Sequence, residues 1–168
     1  MTIKYFMKTN ILNYNIFHDS NKYDRESLVI AHQCNCISTK SHGLAKTLAN
    51  AFPYCDIYSK RRSYIAGVPI GNLCRMEDRG KVGTIVISSQ SKQPTIASLL
   101  AQYQMGQLAR EYHKQNHEYL DQEYRDMKQM ETYEKRETWF RSCLQELKRW
   151  IISKNNNNDD DDNERRLR

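Results

Sequence analysis

The sequence predicts an α/β protein, in which helices pack against a mixed β-sheet. Three stretches carry this prediction: short apolar runs at 28–31 and 85–87, and an apolar stripe with helical spacing at 139–151. Short runs rich in β-branched residues are typical of buried strands, whereas a period of 3.6 residues is typical of an amphipathic helix. A chain that carries both kinds of segment forms a sheet whose apolar faces are covered by helices.

The first third of the chain contains a strand–loop–helix pattern. Residues 3–6 and 11–17 are predicted to form a first strand and its return, and residues 27–34 form the most convincing strand. Residues 43–52 are predicted to be helical, and Pro53 ends this helix because proline cannot continue one. Glycine and proline punctuate residues 54–82, which are therefore expected to be irregular.

The remainder contains two further strands and a second helix. Residues 83–88 and 95–101 are predicted strands, and residues 131–152 are a predicted amphipathic helix. Residues 104–130 are polar, aromatic and charged, which favours a solvated insert. Residues 154–168 are of low complexity and are expected to form a disordered tail, because they offer nothing to bury.

Composition limits the domain organisation and the class of partner. The chain has 168 residues, 39% of them hydrophobic, and a mean hydropathy of −0.86. This length allows one domain, assigned to residues 1–153, followed by the tail. The formal net charge of +6 is compatible with anionic ligands or nucleic acid. No apolar stretch approaches the ~20 residues of a membrane span.

Two further features of the chain predict a cytoplasmic or nuclear location. The N-terminal segment MTIKYFMKTN has no apolar run long enough for a signal peptide. The chain contains five cysteines. An odd number of cysteines without a signal peptide is typical of reduced thiols inside the cell.

Several segments together resemble a macro domain, the α/β module that binds ADP-ribose. They cover about residues 3–150, with a polar gap near 108–130. Within the family, the segments look most like the ADP-ribose-1''-phosphate phosphatase-like branch. It implies a three-layer α/β/α fold with a mixed sheet. The segments are IAHQCNC, HGLAKTLANAFP, DIYSKRR, EDRGKVGTIVI, PTIASLLAQYQMGQ and ETYEKRETWFRSCLQEL.

The resemblance also implies a ligand site. In such domains an asparagine at the end of the second strand contacts the distal ribose, a role that falls to Asn35. An amide can donate to and accept from ribose hydroxyls, and N–H groups at a helix start suit a diphosphate. Residues 101–103 would reach the same cleft, and no metal or cofactor is implied. The loop that would pack its backbone against the ligand consists of Ser41, His42, Gly43, Leu44 and Ala45.

One part of the family pattern has no counterpart. In the family, the helix matching 131–152 is followed by a central strand and a glycine-rich loop that wraps the diphosphate. The chain is therefore expected to lack the distal half of the fold, to expose unpaired sheet edges that favour self-association, and to bind ADP-ribose weakly. The family's reactions, dephosphorylation of ADP-ribose-1''-phosphate or hydrolysis of an ADP-ribosyl bond, are not expected.

Each candidate residue also has a structural interpretation. Asn35 could simply complete a turn, and Gly43 could simply begin a helix. A zinc site formed by His32, Cys34, Cys36 and His42 is less favoured than small buried cysteines, because the spacing lacks a C-x-x-C pairing. A nucleophilic role for Cys34 with a histidine base has little support, since nothing orients such a pair.

The alternative function is that of a non-catalytic interaction protein. The cluster Lys60, Arg61 and Arg62 lies near tyrosines and could hold single-stranded nucleic acid or phosphate, although a solvated loop is the commoner explanation. The aromatic stripe at 139–150 is expected to pack in the core. If its partner strands are absent, it would become an exposed surface for a protein partner.

Overall fold

The structure is a computed structural model that describes residues 27–64, 73–104, 122, 126–127 and 130–166. It confirms an α/β fold with a three-stranded mixed sheet and two helices. Two short 3-10 helices, at Pro53–Cys55 and Met76–Asp78, lie between the first helix and the second strand. The main elements are β1 (Val29–Asn35), α1 (Gly43–Ala51), β2 (Ile85–Ser88), β3 (Thr95–Gln102) and α2 (Tyr133–Arg166).

Strand β3 lies between the other two strands, in the order β1–β3–β2. It runs parallel to β1, with Ile30 opposite Ile96, and antiparallel to β2, with Val86 opposite Ser98. Parallel strands require a long crossover connection. The chain from α1 to β2 supplies that connection. Because β1 and β3 are parallel, their carboxyl ends lie at the same edge of the sheet.

The two helices contact opposite faces of β3, because alternate residues of a strand point to opposite sides. On one side Ile96 belongs to a buried cluster that includes Leu48 of α1 and Phe52. On the other side the buried cluster consists of Ala97, Leu99, Ala101, Cys143 and Leu147, the last two from α2.

Strand β1 is buried on one face only. Its residues Ile30, His32 and Cys34 point to the face that carries α1 and are buried, whereas Ala31 and Gln33 on the opposite face are exposed. Helix α2 therefore covers β2 and β3 but leaves this part of β1 open to solvent.

The element boundaries agree closely with the sequence for four of the five elements. Strand β2 begins at Ile85 rather than at residue 83, because Gly83 adopts a φ of +82° within a turn. Helix α2 begins at Tyr133, after Thr132, whose hydroxyl accepts a hydrogen bond from the backbone N–H of Lys135 at 3.2 Å. This contact supplies one of the unpaired donors of a helix start.

Helix α2 extends well beyond the predicted end at residue 152. Its backbone is helical as far as Arg166. This range includes most of residues 154–168, whose predicted disorder stays a prediction. The expected first strand and its return at 3–17 lie outside the described residues, as does most of the polar insert at 104–130. Within the described ranges, neither helix is both long and apolar enough to cross a bilayer.

Candidate functional site

Asn35 is the last residue of β1 and is buried, with only 4% of its surface exposed. Its Oδ1 accepts hydrogen bonds from the backbone N–H groups of Ile37 at 3.2 Å and Ser38 at 2.8 Å. Its Nδ2 donates to the hydroxyl of Tyr58 at 3.5 Å, and the same hydroxyl accepts the Asn35 backbone N–H at 3.2 Å. The amide oxygen therefore shapes the turn after β1, while the amide nitrogen makes one long contact.

The loop predicted to approach the ligand lies at the start of α1. His42, Gly43 and Leu44 are exposed, whereas Ser41 and Ala45 are half-buried. Gly43 has a φ of +52°, in the left-handed region that favours glycine, and a Cβ built on it would meet nothing within 4 Å. In the part of the chain that the structure describes, no side chain caps α1. The first turn of the helix thus opens toward solvent.

Hydrogen bonds join the carboxyl ends of β1 and β3. The backbone N–H of Cys36 donates to the carbonyl oxygens of Gln102 and Tyr103, each at 3.1 Å. The side chain of Gln33 also donates from Nε2 to Oε1 of Gln102 at 3.3 Å. The structure therefore brings the end of β1 next to residues 102 and 103, at the edge where open α/β sheets bind ligands.

Arg61 stabilises the loop after β1, a role that the sequence did not indicate. Its Nη1 donates to the carbonyl oxygens of Asn35 at 3.1 Å and Ser38 at 2.9 Å, and its Nη2 donates to Asn35 at 3.1 Å. The guanidinium carbon lies 4.9 Å from the ring centre of Tyr58, a cation–π distance. Arg61 and Tyr58 together fix the backbone that follows Asn35.

The predicted basic cluster is divided in the structure. Arg62 donates from Nη2 to Asp78 at 2.8 Å and to Glu77 at 3.3 Å, while Arg61 turns inward and Lys60 is exposed. The hydrogen bonds from Arg62 lower the pKa of Asp78 to about 2. The three adjacent cations therefore do not share one exposed surface.

A buried polar row lies on the face of β1 that carries α1. The Nε2 atom of His32 lies 3.2 Å from the Ser98 hydroxyl, and its Nδ1 lies 3.5 Å from the sulfur of Cys34. Burial lowers the pKa of His32 to about 4 and raises the pKa of the Cys34 thiol. Near neutral pH the imidazole is uncharged and the thiol is protonated, which does not suit a nucleophile.

The cysteines are core residues. All five are free and buried, and burial raises the pKa of Cys36 to about 12. Among the residues that the structure describes, no three histidine, cysteine or carboxylate side chains are grouped to hold a metal ion.

Two open cavities border the segment Arg79–Gly80–Lys81, since Gly80 is in the lining of both. One of about 350 Å³ is lined by Tyr54, Lys60, Val86 and Leu100 among others. The second, of about 320 Å³, is lined by Arg79, Lys81 and Tyr103 together with three apolar residues. Neither of these two cavities includes Asn35 or the 41–45 loop in its lining.

Comparison of the chain with protein-family models, with curated proteins and with solved structures returned no match.

Proposed function

We propose that the chain binds ADP-ribose, or a related derivative, at the carboxyl ends of β1 and β3. The observation that carries this proposal is that the residue after Asn35 bonds to residues 102 and 103 at one edge, and that Ala45 of α1 packs against the buried cluster that contains Tyr103. Helices on opposite faces of a mixed sheet are also consistent with a macro-like three-layer arrangement. The resemblance supplies the identity of the ligand.

The hydrogen bonds assign different roles to the two ends of the Asn35 amide. Its Oδ1 already accepts two backbone N–H groups, so the group available to a ribose hydroxyl is Nδ2. In the first turn of α1, backbone N–H groups at Gly43 and Leu44 would face the diphosphate, where the positive end of the helix dipole favours negative charge. The proposal is limited to binding of the ligand and includes no catalytic step.

Calorimetric titration with ADP-ribose tests this proposal, with Asn35→Asp as the informative variant. Aspartate retains an oxygen for the N–H groups of the turn but removes the Nδ2 donor. We expect micromolar binding by the wild type and a loss of about tenfold or more in Asn35→Asp, the value of one well-placed hydrogen bond. Asn50→Asp, an exposed change on α1, is the matched control and should bind as the wild type does.

The absence of heat from a wild-type chain shown to be folded by circular dichroism would overturn the proposal. Equal affinity in the wild type and in Asn35→Asp would remove Asn35 from the site.

A second candidate is an interaction protein, and the exposed side of α2 favours it. Phe140 and Leu144 are 37% and 44% exposed and lie four residues apart, so they are neighbours on one helix face. Protein-binding surfaces contain exposed apolar side chains that adjoin in this way. Sedimentation of the wild type and of a Phe140→Lys/Leu144→Lys double variant tests this candidate. Concentration-dependent association that the double variant abolishes would support self-association, and a monomer at all concentrations would exclude it.

A further inference from the structure

We propose that the cavity of about 350 Å³, between the 54–61 segment and β2, binds a small apolar carboxylate. This volume lies within the ~300–1,000 Å³ typical of small-molecule sites. The cavity is lined by residues of the ranges 54–61, 78–80 and 86–88 together with Leu100, all within the described part of the chain. It uses neither Asn35 nor the 41–45 loop, so it goes beyond the ADP-ribose site proposed above.

The cavity forms because the layer that contains α1 does not extend over β2. Val86 of β2 is paired with Ser98 of β3. Paired residues point to the same face of a sheet, and Ile96, two residues from Ser98, packs against Leu48 of α1 on that face. Val86 therefore lies on the α1 side of the sheet, but it is 37% exposed. The space between β2 and the segment that follows α1 is the cavity.

The apolar part of the cavity has ordered walls. Ile57 and Val86 line it from its two sides and Leu100 lines it from the sheet. Leu100 is 3% exposed, and Ile57 packs against the buried cluster to which Leu100 belongs. The hydroxyl of Tyr54 donates to the carbonyl oxygen of Pro94, which fastens the segment after α1 to the start of β3. Walls that are held in this way lose little freedom when a ligand binds.

Lys60 and Arg61 bring two positive charges to the lining. Lys60 is exposed and forms no ion pair within the described ranges. Arg61 donates to the backbone carbonyl oxygens of Asn35 and Ser38 rather than to a carboxylate, so these bonds do not neutralise its charge. Its Nη2 lies beside Gly80 in the cavity wall, because a Cβ at residue 80 would lie 3.5 Å from it.

The two carboxylates of the lining are engaged within the chain. Asp78 accepts hydrogen bonds from Nε of Arg62 at 2.9 Å and from its Nη2 at 2.8 Å. Oδ1 of Asp56 accepts the backbone N–H groups of Tyr58 at 2.9 Å and Ser59 at 3.3 Å. Among the described residues, two cations of the lining are therefore set against one carboxylate that has no cationic partner. This surplus of positive charge favours an anion.

A carboxylate on an apolar body matches this chemistry. A surplus of one positive charge suits a singly charged anion, and both ammonium and guanidinium groups form charge-assisted hydrogen bonds with carboxylate oxygens. The carboxylate would lie at Lys60 and Arg61, with the body against Ile57 and Val86. An aromatic ring or a short branched chain offers such a body.

Titration of the full chain with benzoate at about pH 7, followed by amide chemical shifts in heteronuclear NMR, tests the inference. Benzyl alcohol carries the ring without the charge, acetate carries the charge without the ring, and benzylamine carries the opposite charge. We expect benzoate to shift the amides of Val86, Ile87 and Ser88 and to bind about fivefold more tightly than each of the other three. Equal binding of benzoate and benzylamine, or no shift at these amides, contradicts the inference.

Lys60→Glu is the informative variant, since an exposed side chain can be replaced without loss of folding. We expect it to weaken benzoate binding by about fivefold or more. Lys148→Glu, the same change at an exposed position on α2, is the control and should bind as the wild type does. If both variants weaken binding equally, the effect is one of net charge, and the cavity is not the site.

The two sites are separable by their variants. Lys60→Glu leaves the amide of Asn35 in place, and Asn35→Asp leaves both cavity cations in place. If ADP-ribose binding fails while benzoate still shifts the 86–88 amides, the proposed function fails and the cavity proposal stands. The converse result rejects the cavity and retains the ADP-ribose site.

Discussion

The carbonyl oxygen of Asn35 accepts hydrogen bonds from both terminal nitrogens of Arg61, each at 3.1 Å. The same guanidinium reaches the carbonyl oxygen of Ser38 at 2.9 Å, so one side chain spans the turn that follows β1. The backbone position of Asn35, the residue proposed to contact a ribose, is therefore fixed by Arg61, which lies 26 residues later in the chain.

Arg61→Lys should destabilise the chain, although it conserves the charge. A lysine ammonium cannot donate in the fork geometry that joins these two carbonyl groups, and it loses the planar contact with Tyr58. We expect the free energy of unfolding to fall by about 1.5–3 kcal/mol, the value of hydrogen bonds to a charged group. Urea denaturation measures this change. Arg149→Lys, at an exposed position on α2, should change it by less than about 0.5 kcal/mol. Equal small effects at both positions would show that Arg61 does not support the turn.

The elements that periodicity describes well were predictable. Strand β3 carries apolar residues on both faces and is buried on both, which its run of small and β-branched residues indicated. Helix α2 buries Cys143 and Leu147, two residues of the predicted stripe, against the sheet. In each case one apolar surface meets another, as the spacing indicated, but Phe140 and Leu144 of the same predicted stripe are exposed.

The contacts of the polar side chains were not predictable. Arg61 and Arg62 are adjacent and chemically alike in the sequence, but one binds backbone carbonyls and the other binds carboxylates. The partner of Arg61 is a backbone oxygen, and every residue has one, so no residue type marks it. The sequence did offer a turn as the alternative to a ligand role for Asn35, because asparagine commonly hydrogen-bonds to the backbone that follows it. In the structure its Oδ1 accepts such a bond from the N–H of Ser38.

Gly80→Ala should destabilise the core beside both cavities. An added Cβ would lie 2.6 Å from Cδ1 of Leu100, which is 3% exposed, so the buried leucine side chain would have to shift. Forcing a methyl group into a packed core costs about 1–3 kcal/mol. Thermal denaturation measures this loss. Gln145→Ala, on the exposed side of α2, should leave the melting temperature nearly unchanged. A Gly80→Ala chain as stable as the wild type would mean that the 79–81 segment is free to move.

The buried imidazole of His32 should make stability depend on pH. Burial lowers its pKa from the ordinary 6.5 to about 4, so the unfolded chain binds a proton at a higher pH than the folded chain does. The contribution of His32 to stability is therefore fully present above about pH 6.5 and is lost as the pH falls toward 4. The loss from this residue should be on the order of 2–3 kcal/mol.

Urea denaturation of the wild type and of His32→Asn, at about pH 7 and about pH 4.5, isolates this contribution. Other groups also titrate in this window, so the informative quantity is the difference between the two chains. The wild type should lose more stability than the variant on acidification. His42→Gln, an exposed position, should follow the wild type. If His32→Asn loses as much stability as the wild type, the imidazole is accessible to protons in the folded state.

The packing of α2 on the sheet predicts opposite outcomes for two leucines three residues apart. Leu147 is 8% exposed and belongs to the buried cluster with Leu99 of β3, whereas Leu144 is 44% exposed. Leu147→Ala removes buried methyl groups and leaves a cavity, so it should lower the free energy of unfolding by about 2–5 kcal/mol. Leu144→Ala should change it by less than about 0.5 kcal/mol. Denaturant titration of both variants at low protein concentration provides the measurement.

A large loss in Leu144→Ala would mean that its side chain is covered in solution by another part of the chain or by a second copy. The same loss would strengthen the interaction role considered for this face of α2.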